Sequence, residues 1–161
     1  MPGDTNGVVD VFVHDRDADG DGIFDETDPG ARATVRVSVA SDGSASQGGN
    51  SAIPSIGADG RVVAFASGAF NLVGGDSNFF FDVFVHDRDV DGDGVFDEPG
   101  AVTTVRVSVA GDGSEANDDC IGAFTGLSAD GRFMAIESAA TNLVLDDTNA
   151  AGDVFVARTG R

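Results

Sequence analysis

Two stretches of the chain concentrate residues that can do chemistry. DRDADGDGIFDE runs from Asp15 to Glu26, and DRDVDGDGVFDE runs from Asp87 to Glu98. In each, aspartates recur at alternate positions: Asp17, Asp19 and Asp21 in the first, Asp89, Asp91 and Asp93 in the second. A glycine follows at once, Gly22 or Gly94, and a further acid three residues on, Asp25 or Asp97. Alternate side chains of a tightly curled loop can point inward together, and glycine supplies the backbone conformation that a Cβ disfavours. Bare, three or four carboxylates at that spacing repel one another; around a hard divalent cation the same repulsion becomes affinity. Calcium, with six to eight oxygen ligands in a flexible cage, suits the pattern best. Magnesium wants a smaller octahedral site and keeps its waters, so it is the lesser candidate. Zinc is disfavoured because its usual nitrogen and sulfur ligands are missing from the loop.

The bulk composition fits such a site and excludes others. Against 28 acids stand nine basic residues, all arginine, for a net charge of −19. Nucleic acid and anionic membrane surfaces both call for the opposite balance. Divalent cations, a cationic partner or solubility in high salt remain compatible. Cys120 is the only cysteine, so no disulfide forms within one chain. The opening MPGDTNGVVDVFV lacks a charged region followed by an apolar one, and no apolar run approaches the roughly 18 residues of a membrane span, so a soluble chain without membrane insertion is expected. Any signal peptide is expected to have been removed or never present.

The elements that would position the acids are read from internal repetition. DTNGVVDVFVHDRD at Asp4 returns as DSNFFFDVFVHDRD at Asp76 and as DTNAAGDVFVAR at Asp147. TVRVSVASDGS at Thr34 returns at Thr104, and GADGRVVAFAS at Gly57 returns as SADGRFMAIES at Ser128. The period is about 71 residues. Gly is abundant, Val, Phe and Thr recur in short runs, and no window has helical periodicity, so the chain is all-β. Each period predicts four short strands. The first covers Ala52–Ile56 and Ala123–Leu127; the second covers Arg61–Ser67 and Arg132–Ser138. Asp59-Gly60 and Asp130-Gly131 precede the second strand as hairpin turns. The third covers Asp10–His14, Asp82–His86 and Asp153–Ala157; the fourth covers Thr34–Val39 and Thr104–Val109. VFVH and RVSV alternate as half-buried strands do. The acidic loops fall between third and fourth strands. His14 and His86 stand just before them, but Ala157 holds that place in the last copy, so the histidines are read as strand-end residues and not ligands.

SADGRFMAIES, DVFV and TTVRVSV together resemble the TolB-like, WD-repeat-related β-propeller blade, over essentially the whole chain. The family's form differs in having Pro where Ala58 and Ala129 stand, and it lacks the acidic insertion. The resemblance implies four-stranded antiparallel blades around an axis. It divides a single domain over 1–161 into a partial blade at 1–40, a complete blade at about 51–110 and a partial blade at about 121–158. The start of each acidic loop also resembles an EF-hand loop. Its flanks are strands, however, and position 12 is Asp28 in one loop but Gly100 in the other. The pattern is closer to the calcium-binding hairpin loops of integrin α-subunit propellers. That resemblance assigns as ligands Asp17, Asp19, Asp21, the Ile23 carbonyl and Asp25, and equally Asp89, Asp91, Asp93, the Val95 carbonyl and Asp97. Glu26, Glu98, Asp15 and Asp87 fall in the outer shell. The competing reading, a solvated acidic turn, is disfavoured by two complete matches in equivalent hairpins.

Nine strands make two blades and one surplus strand, too few to close a ring of typically four to eight blades. Copies of the chain could complete one another, the C-terminal strands of one joining the N-terminal pair of the next; three copies would give six blades. Otherwise the chain is a propeller fragment without independent function. No G-x-S-x-G, H-E-x-x-H or phosphate-binding loop occurs, so a non-enzymatic structural or protein-interaction module is favoured over an enzyme or small-molecule binder using a central channel. Cys120 is expected to be buried or half-buried. Phe79, Phe80 and Phe81 replace Gly7-Val8-Val9 and Ala150-Ala151-Gly152 at one hairpin, as a contact patch or as filling between blades. Calcium loops of this kind are most useful where calcium is millimolar, which points to an extracellular, cell-surface or periplasmic setting.

Overall fold

The computed structural model describes residues 4–120, 126–149 and 151–160. Among them there is no helix, and nine strands form three antiparallel sheets. β1 (Phe12–Asp15) and β2 (Ala33–Arg36) form the first. β3 (Ser51–Ile56), β4 (Val62–Ser67), β5 (Asp82–Asp87) and β6 (Thr103–Arg106) form the second in sequential order. β7 (Gly126–Leu127), β8 (Phe133–Ser138) and β9 (Asp153–Arg158) form the third. The expected strands are all present, divided two, four and three. Of the predicted strand Ala123–Leu127, residues 123–125 lie outside the described residues, as does Ala150 of the hairpin trio.

The fourth strands are shorter than expected, ending at Arg36 and Arg106. A side chain explains this. Ser38 Oγ donates to Asp10 and accepts the Val11 amide, and Ser108 Oγ does the same for Asp82 and Val83. A hydroxyl thus takes over a ladder bond, and the chain beyond it makes only isolated bridges, Val39 with Ala45 and Val109 with Glu115. The hairpin turn before β4 forms as predicted: Gly60 has φ +75°, and its amide donates to the Gly57 carbonyl at 3.0 Å.

Strands expected to alternate are, in the second sheet, buried on both faces. All six residues of β4 and five of six in β5 are inaccessible. The register shows why. One face carries Val63, Phe65 and Phe84, which share a core with Val13 of β1 and with Val11 and Val37, which flank β1 and β2. The opposite face carries Val62, Ala64, Val83 and Val85, which share a core with Met134 and Ile136 of β8. Phe65 and Phe84 are cross-strand partners, their ring centroids 6.0 Å apart. The second sheet is therefore the filling between two others, and β4 and β5 read as the near-continuous apolar runs that such burial demands.

The sheets are also tied by backbone. The Ala58 amide donates to the Ala129 carbonyl at 2.9 Å, and the Leu127 amide to Ser55 Oγ at 3.2 Å. A proline at position 58 would lack the N–H that makes the first of these bonds.

Val83 in β5 and Val154 in β9 hold equivalent places, yet Val83 is 0% exposed and Val154 71%. Val83→Ala is expected to cost about 2 kcal/mol, transfer and cavity combined, and Val154→Ala under about 0.5 kcal/mol. Urea unfolding of the two variants checks this.

Candidate metal centre

Each acidic loop is folded by its own aspartates. The strand-end carboxylates begin it: Asp15 Oδ1 accepts the Asp17 amide at 3.0 Å, and Asp87 Oδ1 the Asp89 amide at 3.1 Å. Asp17 Oδ2 then accepts from the Gly22 amide at 3.1 Å. Asp89 accepts from Gly92, Asp93 and Gly94. Asp21 and Asp93 each accept the amide two residues on, at 2.8 Å, which curls Ile23 and Val95 back. Gly22 and Gly94 have φ +85° and +89°, the left-handed turn that the glycine was expected to supply.

This curl brings the predicted acids together. Ligand oxygens of Asp17, Asp19 and Asp21 lie within 4.8 Å of one another, and so do those of Asp89, Asp91 and Asp93. Two unit charges at that separation repel by about 1 kcal/mol in bulk-water dielectric, and by more in a partly buried site. Asp17 Oδ1 is sealed from solvent with no hydrogen-bond partner. A sealed carboxylate oxygen without a donor, beside two more carboxylates, fits a hard cation, so these residues could hold a metal ion.

The acids at the ninth place are engaged differently. Asp25 is gripped by Arg16, whose Nε donates to Oδ1 at 2.9 Å, and Asp97 by Arg88 in the same way. The Arg16 hydrogen bond holds the Asp25 carboxyl below its ordinary range. Both aspartates have positive φ, 62° and 64°, and their amides close the loop onto the Arg16 and Arg88 carbonyls. The guanidinium groups also lie over Phe24 and Phe96. These arginines went unnoticed in the motif, although the repeated D-R-D was their signal. Arg61 was likewise unsuspected, and it takes both oxygens of Asp87 at 2.7 and 2.8 Å. Its signal was its fixed place after each Asp-Gly turn.

The second loop lies beside the Asp59-Gly60 turn: Arg88 donates to the Gly60 carbonyl at 2.8 Å. The histidines stand apart from both triads. His14 and His86 bond Thr34 and Thr104 through Nδ1, at 2.7 and 2.9 Å. Cys120 is buried, its Sγ 3.1 Å from Ser138 Oγ, and burial pushes its thiol pKa up. The phenylalanine trio divides. Phe79 is exposed with φ +61°. Phe80 and Phe81 are half-buried, and the Phe81 backbone bonds Asp119 and Cys120. Comparison with family models, curated proteins and solved structures finds no match to the chain.

Burial drives the His86 pKa down to about 4, with Asp97 opposing and Arg88 reinforcing the shift. A folded-state pKa below the ordinary 6.5 means that protons favour the unfolded chain. The stability is therefore complete above pH 6.5 and drains away as pH falls toward 4, by about 3 kcal/mol in the limit. Melts of the wild type and His86→Gln between pH 7 and 4 should show the variant with the flatter dependence. Parallel curves would contradict it.

Proposed function

We propose that the chain is a calcium-binding, non-enzymatic β-propeller module, of the TolB-like kind its repeats resemble, with a structural or protein-interaction role. The observation that supports this most is the pair of aspartate triads on equivalent hairpins, one of them holding a sealed, unpartnered carboxylate oxygen. The ligand set proposed is Asp17, Asp19, Asp21 and the Ile23 carbonyl, and Asp89, Asp91, Asp93 and the Val95 carbonyl. Asp25 and Asp97 join by sharing a carboxylate with Arg16 and Arg88, since such a group has about four lone-pair sites. A bound calcium replaces mutual repulsion with shared attraction and stiffens the hairpin between third and fourth strands. It also cancels two units of the net −19. In this reading the sheets are blades, copies of the chain close the ring, three copies giving six blades, and the setting is extracellular, cell-surface or periplasmic. There, millimolar calcium can load even weak sites.

Chelation is expected to lower the melting temperature by about 5–10 °C, the effect of losing a ligand held near a hundredfold above its Kd, and calcium to restore it better than magnesium. An unchanged melt after verified metal removal would sink the structural role. Calorimetric titration should resolve two classes of site. The second loop should be the tighter, because Asp89 is buried and its carboxylate accepts three amides, whereas Asp17 accepts one. Asp89→Asn is then expected to remove the tight class and Asp17→Asn the weak one.

A further inference from the structure

The two acidic loops share a sequence pattern and a fold, yet one is packed and the other bare. The Arg88 and Asp97 side chains are 7% and 13% exposed; those of Arg16 and Asp25 are 57% and 49%. The difference arises at β4. The turn before that strand covers the second loop. Its Gly60 carbonyl receives Arg88, its Arg61 carbonyl accepts the Arg88 amide at 3.1 Å, and the Arg61 guanidinium clamps Asp87 and stands 3.9 Å from Asp89. The first sheet has only β1 and β2. Among the described residues it has no counterpart of Gly60 or Arg61 beside Asp15, Arg16 and Asp17.

The missing piece exists elsewhere in the chain. Gly131-Arg132 precedes β8 as Gly60-Arg61 precedes β4. There it is the aspartate that is lacking. Phe133 pairs with Arg158 in the register in which Val62 pairs with Asp87, so the exposed Arg132 neighbours a like charge. Asp130 is no substitute, because Asp59 stands in the same place beside Arg61 and Arg61 still binds Asp87. β9 pairs with β8 along its whole length but is open on its outer face. Val154 and Val156 are 71% and 73% exposed, where Val83 and Val85 in β5 are 0% and 3%.

We propose that β8 of one copy pairs with β1 of a second copy, displacing β9 and setting Arg132 against Asp15 and the rim of Asp17. The register is the one β4 and β5 already hold: Phe133 opposite Asp15, Ala135 opposite Val13, Ile136 opposite Phe12. The sheet becomes β7-β8-β1-β2, four strands like the second sheet. The Gly131 carbonyl meets Arg16 of the second copy as Gly60 meets Arg88, and the first metal loop acquires the cover it lacks in a single chain. The occupant is a second copy because charge, register and strand count are each supplied by this chain's own unmatched halves. The inference rests on the repeat-sheet part of the proposed function and not on the metal.

Sedimentation equilibrium over a wide concentration range tests it. The wild type is expected to reach a multiple of the 16.3 kDa chain mass, three copies for a closed ring. Arg132→Asp, at an exposed position, and Asp15→Arg are each expected to weaken association at least about tenfold, and the double variant to recover it. A wild type that stays monomeric throughout, or an Arg132→Asp variant that associates as tightly as the wild type, overturns the proposal. Calcium titration of the Arg132→Asp chain is read separately: retained binding at the second loop with lost association supports the docking contact, and absent binding in the wild type overturns the metal reading alone.

Discussion

Every sheet in this chain needs another sheet on its face. A single antiparallel sheet of three or four short strands has two surfaces, and here β4 and β5 are apolar on both. Burying a Val, Leu, Ile or Phe side chain contributes about 1.5–3 kcal/mol, and the second sheet places Val62, Val63, Phe65, Val83, Phe84 and Val85 out of water in one stroke. That burial requires both neighbours: Val11, Val13 and Val37 on one side, Met134 and Ile136 on the other. The repeat is thus a structural unit that cannot satisfy itself, as in other repeat architectures where each unit is stable only between its neighbours. The outermost sheets bear the cost. β9 carries the same valines as β5, but its Val154 and Val156 are exposed.

Electrostatics follows from the same stacking. A chain with 28 acids and nine arginines cannot pair them all, so the placement of each arginine matters. Arg106 sits among Asp76, Asp82 and Glu115, and Ser77 together with Arg106 brings the Glu115 carboxyl down to about 2. Arg61 goes to Asp87, and Arg88 to Asp97. Each holds a strand end or a loop end, and only Arg61 reaches the edge of a triad, 3.9 Å from Asp89. Among the described residues, Asp17, Asp19, Asp21, Asp91 and Asp93 of the two loops take no arginine, and there like charges stand close together. With the arginines placed on the frame, the clustered carboxylates are where added positive charge would be most favourable.

Much of this was legible in the sequence. The 71-residue repeat, the division of strands into two, four and three, and the Asp-Gly turns follow from composition and self-similarity, because a period repeated in one chain is evidence about each copy. The convergence of Asp17, Asp19 and Asp21 followed from alternate spacing with glycine at the sixth place. Two things were hidden. The fourth strands end early because Ser38 and Ser108 substitute for the ladder, and a serine in R-V-S-V looks like any outward-facing polar residue. The capture of Asp25 and Asp97 by Arg16 and Arg88 depends on a backbone turn at positive φ, which no periodicity reports.

The difference between the two loops lies outside their own residues, and it carries the more general point. Asp17 and Asp89 occupy the same place in nearly the same twelve residues, yet Asp89 is buried and its carboxylate accepts three amides, while Asp17 keeps an oxygen with no partner. Nothing within the loop accounts for this. Among the described residues, β4 lies beside the second loop and no such strand lies beside the first. An acidic loop on such a repeat is therefore set by two scales at once. The local motif decides which atoms converge, and the neighbouring strand decides how dry and how rigid their meeting place is. Affinity depends on both, since preorganised ligands cost less to bring together than mobile ones.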